Sequence, residues 1–457
     1  MSWTRRSHAH PKLLPQTQVL EHVVKNTSIR ELHAGTLINP IKSWEEAMDL
    51  AQAFCGGLDV HKMSVVACAR CVGSKGRVER EVKTFGTTTE ELLALFDWLS
   101  GKGITHVVME STGVYWKPVW HILEGGFDLM LANAAHIRNI PGRKTDVNDA
   151  MWMADLLAHG LIRGSFVPPE PVQNLRTLTR TRKQLVQEKT QHTQRIQKTL
   201  EDTNIKMTSV LSDILGTSGR AILDALIHGE TDPRKLSKLA HKRVKASQES
   251  IRKALQGKVT AAHRFLLKLH FDQVKSLEKA IEEVETEIQK NIVPIFPEQV
   301  TRLTTIPGIS EVVAWVVLSE IGADMSRFPT VGHLISWAGL CPKNDESAGR
   351  KRSTRIREGD PWLRTVLVQA AWAAVRVKGS YFQGQFLRLK SRRGPQKAII
   401  AVAASILTAI YYMLLRRMDF KDLGASHFDH IDKQRRAKRL LKQLSDLGYE
   451  AELKSTA

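Results

Sequence analysis

The chain has 457 residues, 42% of them hydrophobic, which is enough for roughly two to four domains with sizeable cores. Lysine and arginine total 67 against 47 aspartate and glutamate residues, so the net charge is +20 and a polyanionic partner such as nucleic acid is favoured. Four cysteines exclude a disulfide framework, and the polar first 30 residues lack the apolar run of a secretory signal peptide. We therefore predict a cytoplasmic protein.

The first half of the chain changes from a basic extension, predicted over residues 1–54, to an α/β pattern over 55–171. The extension contains a capping box at Ser43–Glu46 that predicts a short helix. The α/β part begins with two strand-like runs and so predicts a β-hairpin at its start. Its predicted strands are Leu58–Arg70, Arg77–Phe85, Ile104–Met109 and Leu129–Ala132, and its predicted helices are Thr87–Ser100, Tyr115–Leu123 and Asp146–Leu157.

Residues 172–292 are helical and polar, and we predict a helical connector that is partly a coiled coil. The connector contains an apolar seam at steps of three and four residues, which is typical of a short coiled coil. One face of an ordinary globular helix pair gives the same spacing. The seam consists of Val274, Leu277, Ile281, Val284 and Ile288.

Residues 293–418 are predicted to be a mostly helical domain, and 419–457 a charged tail with a peripheral helix. Within Lys343–Lys397 there are 14 lysines or arginines against 4 acidic residues. The uncharged run Ala398–Leu415 reaches the lower limit for a membrane span. Its alanines and polar groups favour a buried, closely packed helix, so no membrane partner is predicted.

Four carboxylates are candidates for a metal site. Asp59 lies inside an apolar strand, where an uncompensated charge is costly. Glu110 follows a buried strand, at the kind of edge where open α/β folds bind ligands. Asp146 and Asp149 are three residues apart, on one face of a predicted helix. A helix N-cap would explain Asp146 or Asp149 individually, and a surface turn would explain Glu110. Binding of two Mg²⁺ ions about 4 Å apart would explain all four carboxylates together.

The basic C-terminal domain offers two further motifs. Gly308, in a short turn between predicted helices, fits either a helix-hairpin-helix that contacts phosphate or a plain helix corner. Ser347 has small neighbours and precedes a run of cations, so its hydroxyl is a candidate nucleophile, with Ser353 as the second candidate. A basic, serine-containing loop is more often a solvated or DNA-contacting loop, and the residues alone favour that interpretation. The cations predicted to bind nucleic-acid phosphates are Arg350, Lys351, Arg352, Arg355 and Arg357.

The order and spacing of these motifs resemble the DEDD-type insertion-sequence transposases, the bridge-RNA-guided serine recombinases related to Piv-type DNA invertases. The resemblance covers about residues 55–415 and departs from the family by the long N-terminal extension and a long helical middle. The motifs that carry it are Gly57-Leu58-Asp59-Val60-His61-Lys62, Met109-Glu110-Ser111-Thr112-Gly113, Lys144-Thr145-Asp146 with Asp149-Ala150, Ile306-Pro307-Gly308-Ile309, Trp337-Ala338-Gly339-Leu340-Cys341-Pro342, Ser347-Ala348-Gly349 and Gly359-Asp360-Pro361-Trp362-Leu363-Arg364.

The resemblance implies an RNase H-like (RuvC-like) N-terminal domain, a coiled-coil middle and a helical serine transposase domain. It implies Mg²⁺ at Asp59, Glu110, Asp146 and Asp149, with Ser347 forming a covalent link to DNA. The implied partners are donor and target DNA, a noncoding guide RNA and further copies of the chain in a dimer or tetramer. The implied location is the nucleoid of a bacterial cytoplasm.

Two other functions are compatible with the same residues. A metal-dependent, structure-specific endonuclease similar to a junction resolvase would use the carboxylates and water, without a covalent intermediate. A non-enzymatic nucleic-acid-binding relative would keep the basic surface but would not cut DNA. A covalent protein–DNA intermediate separates the first alternative from a transposase, and metal-dependent cleavage separates the second.

Overall fold

The computed structural model describes residues 52–73, 77–111, 113–133, 137, 149–162, 164–343, 345–347, 350–353 and 355–446. At 345–347, 351, 352, 429–436, 438 and 439 it describes the backbone only. The predicted helix at Ser43–Glu46, the turn residues 74–76 and Asp146 lie outside this set. The described residues fall into two compact units, 52–168 and 169–446.

The first unit is built on a mixed six-stranded sheet with the strand order β3-β2-β1-β4-β5-β6. Strands β1, β4 and β5 are parallel to one another, and β2, β3 and β6 are antiparallel to their neighbours. The elements in chain order are β1 (Cys55–Val60), β2 (Ser64–Val72), β3 (Val78–Gly86), α1 (Thr89–Gly101), β4 (His106–Glu110), α2 (Trp116–Leu123), β5 (Asp128–Ala132), α3 (Asp149–Ala158) and β6 (Gly164–Ser165).

The two faces of this sheet are covered by different helices. Leu58, Val60 and Met109 point to the face where α1 and α2 complete an apolar core. Cys55 and Val108 point to the opposite face, which α3 covers with Met153 and Leu156. Because side chains alternate along a strand, this assignment fixes the face of every residue in β1 and β4.

The chain forms the three strands β1, β2 and β3 where the sequence pattern predicted two. The prediction of one continuous strand over Leu58–Arg70 is therefore wrong. The chain reverses after Val60, and β1 and β2 pair with Val60 opposite Val65. His61 N donates to Ser64 O at 2.9 Å, and Thr87 Oγ1 donates to Lys62 O at 3.0 Å. The turn contains no glycine, proline, asparagine or aspartate, the residues by which a turn is ordinarily predicted.

The cysteines of the sheet behave as separate thiols. Cys68 and Cys71 are three residues apart in β2, so they lie on opposite faces and the C-x-x-C spacing does not bring them together. Cys55 and Cys68 are completely buried, and burial raises the pKa of both thiols to about 11.

We expect neither Cys55 nor Cys68 to react with iodoacetamide in the native protein at pH 8, because the thiolate is the reacting form and both thiols stay protonated and inaccessible. Peptide mapping by mass spectrometry after labelling should find both modified only when denaturant is added. Native labelling of either thiol would contradict the buried position of β1 and β2.

The second unit begins with two long helices, α4 (Glu170–Asp202) and α9 (Ala261–Ile295), that run antiparallel. Arg182 pairs with Glu285, and Lys189 pairs with Glu278 at 3.3 Å. The predicted seam lies on α9, where Val274 and Ile288 are buried and the other three seam residues, Leu277, Ile281 and Val284, are half-buried. The helix pair is a fact of the fold, and a coiled coil remains a prediction. Between α4 and α9 a separate small core is formed by α5 (Met207–Val210), α6 (Thr217–Ile227), α7 (Pro233–Lys238) and α8 (Gln248–Ala254).

The C-terminal part packs around one apolar helix. Its elements are α10 (Gln299–Thr304), α11 (Glu311–Ile321), a 3₁₀ turn at Met325–Arg327, α12 (Val331–Trp337), β7 (Asp345–Ser347), β8 (Arg350–Ser353), α13 (Pro361–Ala374), α14 (Tyr381–Arg393), α15 (Pro395–Arg416) and α16 (His427–Asp446). Among the described residues α15 is the one helix long and apolar enough to cross a membrane, yet 67% of that stretch is buried inside the protein. It is a core helix, as its composition predicted.

Candidate functional site

Two of the four predicted carboxylates lie side by side at one edge of the sheet. The parallel register pairs Gly57 with Val108 and Leu58 with Met109, so Asp59 and Glu110 are the next neighbours across β1 and β4. Since Leu58 and Met109 face α1 and α2, Asp59 and Glu110 point to the other face. Both residues stand at the carboxyl ends of adjacent parallel strands, where α/β sheets place their ligands.

The third carboxylate, Asp149, is brought to the same face by α3. A Cβ on Gly57 would lie 2.6 Å from Ala154 N and closer still to Ala150 O, so α3 crosses β1 at Gly57. Gly57 and Asp59 share a face, and Asp149 is the residue directly before Ala150 at the start of α3. The helix is anchored further along by Asp155, which accepts from Arg70 at 3.0 Å and from Arg80 at 2.8 Å.

The described residues contain no group of three His, Cys, Asp or Glu side chains that could hold a metal ion. Asp146, the fourth predicted ligand, lies outside the described residues. Asp59 is half-buried, and its Oδ2 is 3.1 Å from Nε2 of the exposed His61. The donor set, carboxylates with no thiolate, nevertheless suits a hard cation such as Mg²⁺. Convergence of all four carboxylates therefore stays a prediction.

The predicted nucleophile Ser347 is the last residue of β7 at the tip of a β-hairpin. Ser347 pairs with Arg350, and residues 348 and 349 between the two strands lie outside the described set. The hairpin is extended toward its base by a bridge between Pro342 and Ile356, and by a hydrogen bond from Lys343 N to Arg355 O at 2.7 Å. A hairpin tip is an accessible place for a residue that must meet a large substrate.

The second candidate hydroxyl, Ser353, has a structural role. Ser353 is half-buried near the base of β8, and its Oγ accepts a hydrogen bond from Arg355 N at 3.2 Å. Its backbone pairs with Asp345 rather than lying at the tip. Ser347 remains the predicted nucleophile, with Ser353 as the alternative.

The predicted phosphate-binding cations follow the same hairpin. Arg350 is the first residue of β8. The side chains of Arg350, Arg355 and Arg357 are exposed, and only the backbone of Lys351 and Arg352 is described. Arg357 is tied to the domain through Ser336 Oγ at 3.4 Å and through its backbone N to Cys341 O at 3.0 Å. The exposed arginines leave a basic strand along the hairpin, as a nucleic-acid contact requires.

Gly308 occupies a helix corner. Its φ of +86° lies in the region that favours glycine. A Cβ there would lie 2.7 Å from Ala374 N and closer to Ala370 O, so close packing against α13 by itself requires glycine. Packing against α13 is therefore a sufficient reason for a glycine at this position, and a phosphate contact at the turn remains a prediction.

The sequence reasoning missed a buried ionic cluster at the base of the hairpin. Glu320 on α11 is fully buried and paired with Arg176 and Arg180 of α4. Arg180 also lies 3.6 Å from Asp360, the residue that begins α13 after the hairpin. About 140 residues separate the partners, and their contact follows only from the fold. The one available signal was the spacing of Arg176, Arg180 and Lys183 on one helix face.

Comparison with known proteins gives the class of the protein. A model described as Transposase, of the DEDD type from IS110 elements, matches residues 56–205. A second model, described as Transposase IS116/IS110/IS902 family, matches residues 300–386. The first match contains Asp59, Glu110 and Asp149, and the second contains Ser347 and its hairpin.

Two curated relatives are pilin gene-inverting proteins, from Moraxella bovis and Moraxella lacunata. Each is 28% identical over 155 residues, which is 33% of this chain and 48% of the relative. The chain thus spans about half the length of the curated relatives it matches. With both family models matched in order, the chain belongs to the IS110-type transposases.

Proposed function

We propose that this protein is the transposase of an insertion sequence, which cuts and rejoins DNA with a carboxylate site and a serine nucleophile. The observation that carries the proposal is the placement of Asp59 and Glu110 on one face at the carboxyl edge of β1 and β4. The crossing of α3 over Gly57 adds Asp149 to that face. The six-stranded mixed sheet is consistent with an RNase H-like domain, the fold proposed for 55–171.

Asp59, Glu110, Asp146 and Asp149 are the residues that would hold Mg²⁺. When bound, a divalent cation supplies charge stabilisation at the phosphorus and at the oxygens around it. The protein's own contribution is to hold the carboxylates on the rigid end of a sheet and on a helix anchored by Asp155. Such anchoring keeps like charges close without a large rearrangement on binding.

In the proposed serine step the Ser347 hydroxyl oxygen attacks the phosphorus of a DNA phosphodiester. A bond forms between serine oxygen and phosphorus, and one phosphorus–oxygen bond to the deoxyribose breaks. The hydroxyl proton leaves to a general base, and the released sugar oxygen takes up a proton, so no redox partner is needed. Attack by a sugar hydroxyl on the phosphoserine reverses the chemistry and rejoins DNA.

The basic hairpin and the helix end at Arg388–Lys397 are proposed to bind phosphates of DNA and of a noncoding guide RNA. The exposed cations are Arg350, Arg355, Arg357, Lys390, Arg392, Arg393 and Lys397. A nucleoid location, and assembly into a dimer or tetramer that joins sites of different copies, belong to the same proposal.

Affinity for duplex DNA is expected to fall steeply with salt, by about 0.9 log unit per phosphate contact for each tenfold rise in salt. Fluorescence anisotropy between 50 mM and 500 mM salt measures this slope. Arg355→Gln should reduce the slope by about one contact's worth. An affinity that does not change with salt would contradict a phosphate-dominated interface.

The proposed function is tested by incubating the purified full chain with nicked DNA from the ends of its element, with and without Mg²⁺. RNA transcribed from the sequence flanking the reading frame is added in a parallel set. We expect cleavage that needs Mg²⁺ and leaves protein on a strand end. Free cut ends would indicate the junction-resolvase-like endonuclease, and binding without cutting would indicate a non-enzymatic relative.

A further inference from the structure

Glu320 is a carboxylate without access to solvent that no step of the proposed chemistry uses. It lies in the last turn of α11, and burial raises the pKa of its carboxyl group. Arg180 donates to it through both arms of the guanidinium, at 2.8 and 2.9 Å. Arg176 lies 3.1 Å from Oε2. Because separating this buried carboxylate from its arginines would leave an unpaired charge inside the protein, the contacts hold α4 and α11 in one register.

Arg176 strengthens the same contact through the backbone. It donates to Ser319 O at 3.1 Å and to Glu320 O at 2.8 Å. These carbonyls belong to the last turn of α11, where no helical partner is left for them. Thr179 Oγ1 adds a hydrogen bond of 3.0 Å to Ser319 Oγ. The first third of α4 is therefore a fixed part of the domain that carries the Ser347 hairpin.

Asp360 connects this cluster to the start of α13. Its Oδ1 caps the helix by accepting from Trp362 N at 2.7 Å and from Leu363 N at 2.9 Å. Its Oδ2 lies 3.6 Å from Arg180 Nη2. Lys183 Nζ lies 4.5 Å from the centre of the Trp362 ring, and Arg180 lies 5.3 Å from it. Two cations of α4, Arg180 and Lys183, thus face the first residues of α13.

Asp360 also takes part in the contacts at the base of the hairpin. Gly359, directly before Asp360, packs so tightly that a Cβ there would lie 2.5 Å from Trp337 O. A Cβ on Gly339 would likewise lie 2.8 Å from Arg357 O. Asp360 N donates to Trp337 O at 3.2 Å. The two ends of the hairpin therefore meet at Gly339 and Gly359, and Asp360 links that junction to α4.

We propose that Arg180 is a positioning residue for the serine step, acting through Asp360 to hold the hairpin that presents Ser347. This inference rests on the proposed function. Arg180 lies on α4 and is 3.6 Å from Asp360, so the register of α4 bears directly on the base of the hairpin. Arg180 contacts no reacting atom in this scheme; it fixes the angle at which the hydroxyl is offered.

The test is Asp360→Asn, measured on the full chain with nicked DNA. Asparagine caps helices as well as aspartate does, so α13 keeps its start while the charge facing Arg180 is lost. We expect the rate of serine–DNA adduct formation at saturating DNA to fall about tenfold, with the KM for DNA and the melting temperature nearly unchanged. The matched control is Asp232→Asn, since Asp232 caps α7 through Arg234 N at 2.8 Å.

A second variant tests whether Arg180 acts through Asp360. Arg180→Lys keeps the charge but loses the two-armed geometry, and should slow adduct formation in the same way. In that background Asp360→Asn should add less than a further twofold, because both changes break one contact. Full adduct rates in Asp360→Asn, or a loss explained by a lower melting temperature or weaker DNA binding, would overturn the inference. Wild-type protein that cuts DNA without any adduct would overturn the proposed serine step, and the inference with it.

Discussion

Asp59→Asn is expected to lower DNA cleavage by about a thousandfold or more, because charge stabilisation by a bound metal is worth several kcal/mol. Asp59 stands at the end of β1 beside Glu110, and asparagine has nearly the same volume with one oxygen fewer to offer a cation. The fold should persist. The described contact that the substitution weakens is the 3.1 Å hydrogen bond between Asp59 and His61, and a hydrogen bond of this kind contributes about 1 kcal/mol.

The measurement is the cleavage rate of nicked DNA with saturating Mg²⁺, accompanied by thermal unfolding. Asp128→Asn is the matched control, because Asp128 begins β5 at the opposite end of the same parallel strands. Asp128 is exposed and should leave the rate unchanged. Equal rates for wild type and Asp59→Asn would contradict a metal site at the carboxyl edge.

Ser347→Ala is expected to abolish strand transfer while DNA affinity stays within about twofold, since a neutral hydroxyl adds little to a phosphate-dominated interface. The alanine variant keeps the hairpin, whose pairing is made by backbone groups. Ser353→Ala removes the hydrogen bond to Arg355 N and should lower stability slightly without stopping strand transfer. Recombination of an element-carrying plasmid measures both variants. A Ser353→Ala protein that is inactive beside an active Ser347→Ala protein would move the nucleophile to Ser353.

Individual residues of the candidate site could be predicted from the sequence when a local pattern marks them. In the sequence Asp59 is recognisable as a charge in an apolar strand, and Glu110 as a polar residue at the end of a buried strand. The sequence predicted one metal site for both, but no local pattern encodes the register between β1 and β4 that places them on one face, or the reversal at His61-Lys62-Met63 that ends β1. That reversal is made by backbone hydrogen bonds and by Thr87, none of which a local turn pattern encodes.

The contacts that hold the hairpin could not be predicted from the sequence, for a different reason. Arg180 and Glu320 are far apart in sequence, and a buried ion pair leaves no periodic signal. In the sequence Gly339 and Gly359 stand in separate motifs, whereas in the structure they are packed against each other. The seam on α9 lies on one face of a helix, as its spacing predicted, and a coiled coil there remains a prediction. The role of Asp146 as a metal ligand remains a prediction.

The central claim is tested most directly by the fate of a labelled DNA strand. Wild-type protein is incubated with end-labelled nicked DNA, denatured and digested, and the labelled peptide is sequenced by mass spectrometry. The account predicts a nucleotide joined through phosphate to Ser347, formed only with a divalent cation and absent from Asp59→Asn. Strands cut with free ends and no labelled peptide, under conditions where the wild type is active, would contradict it.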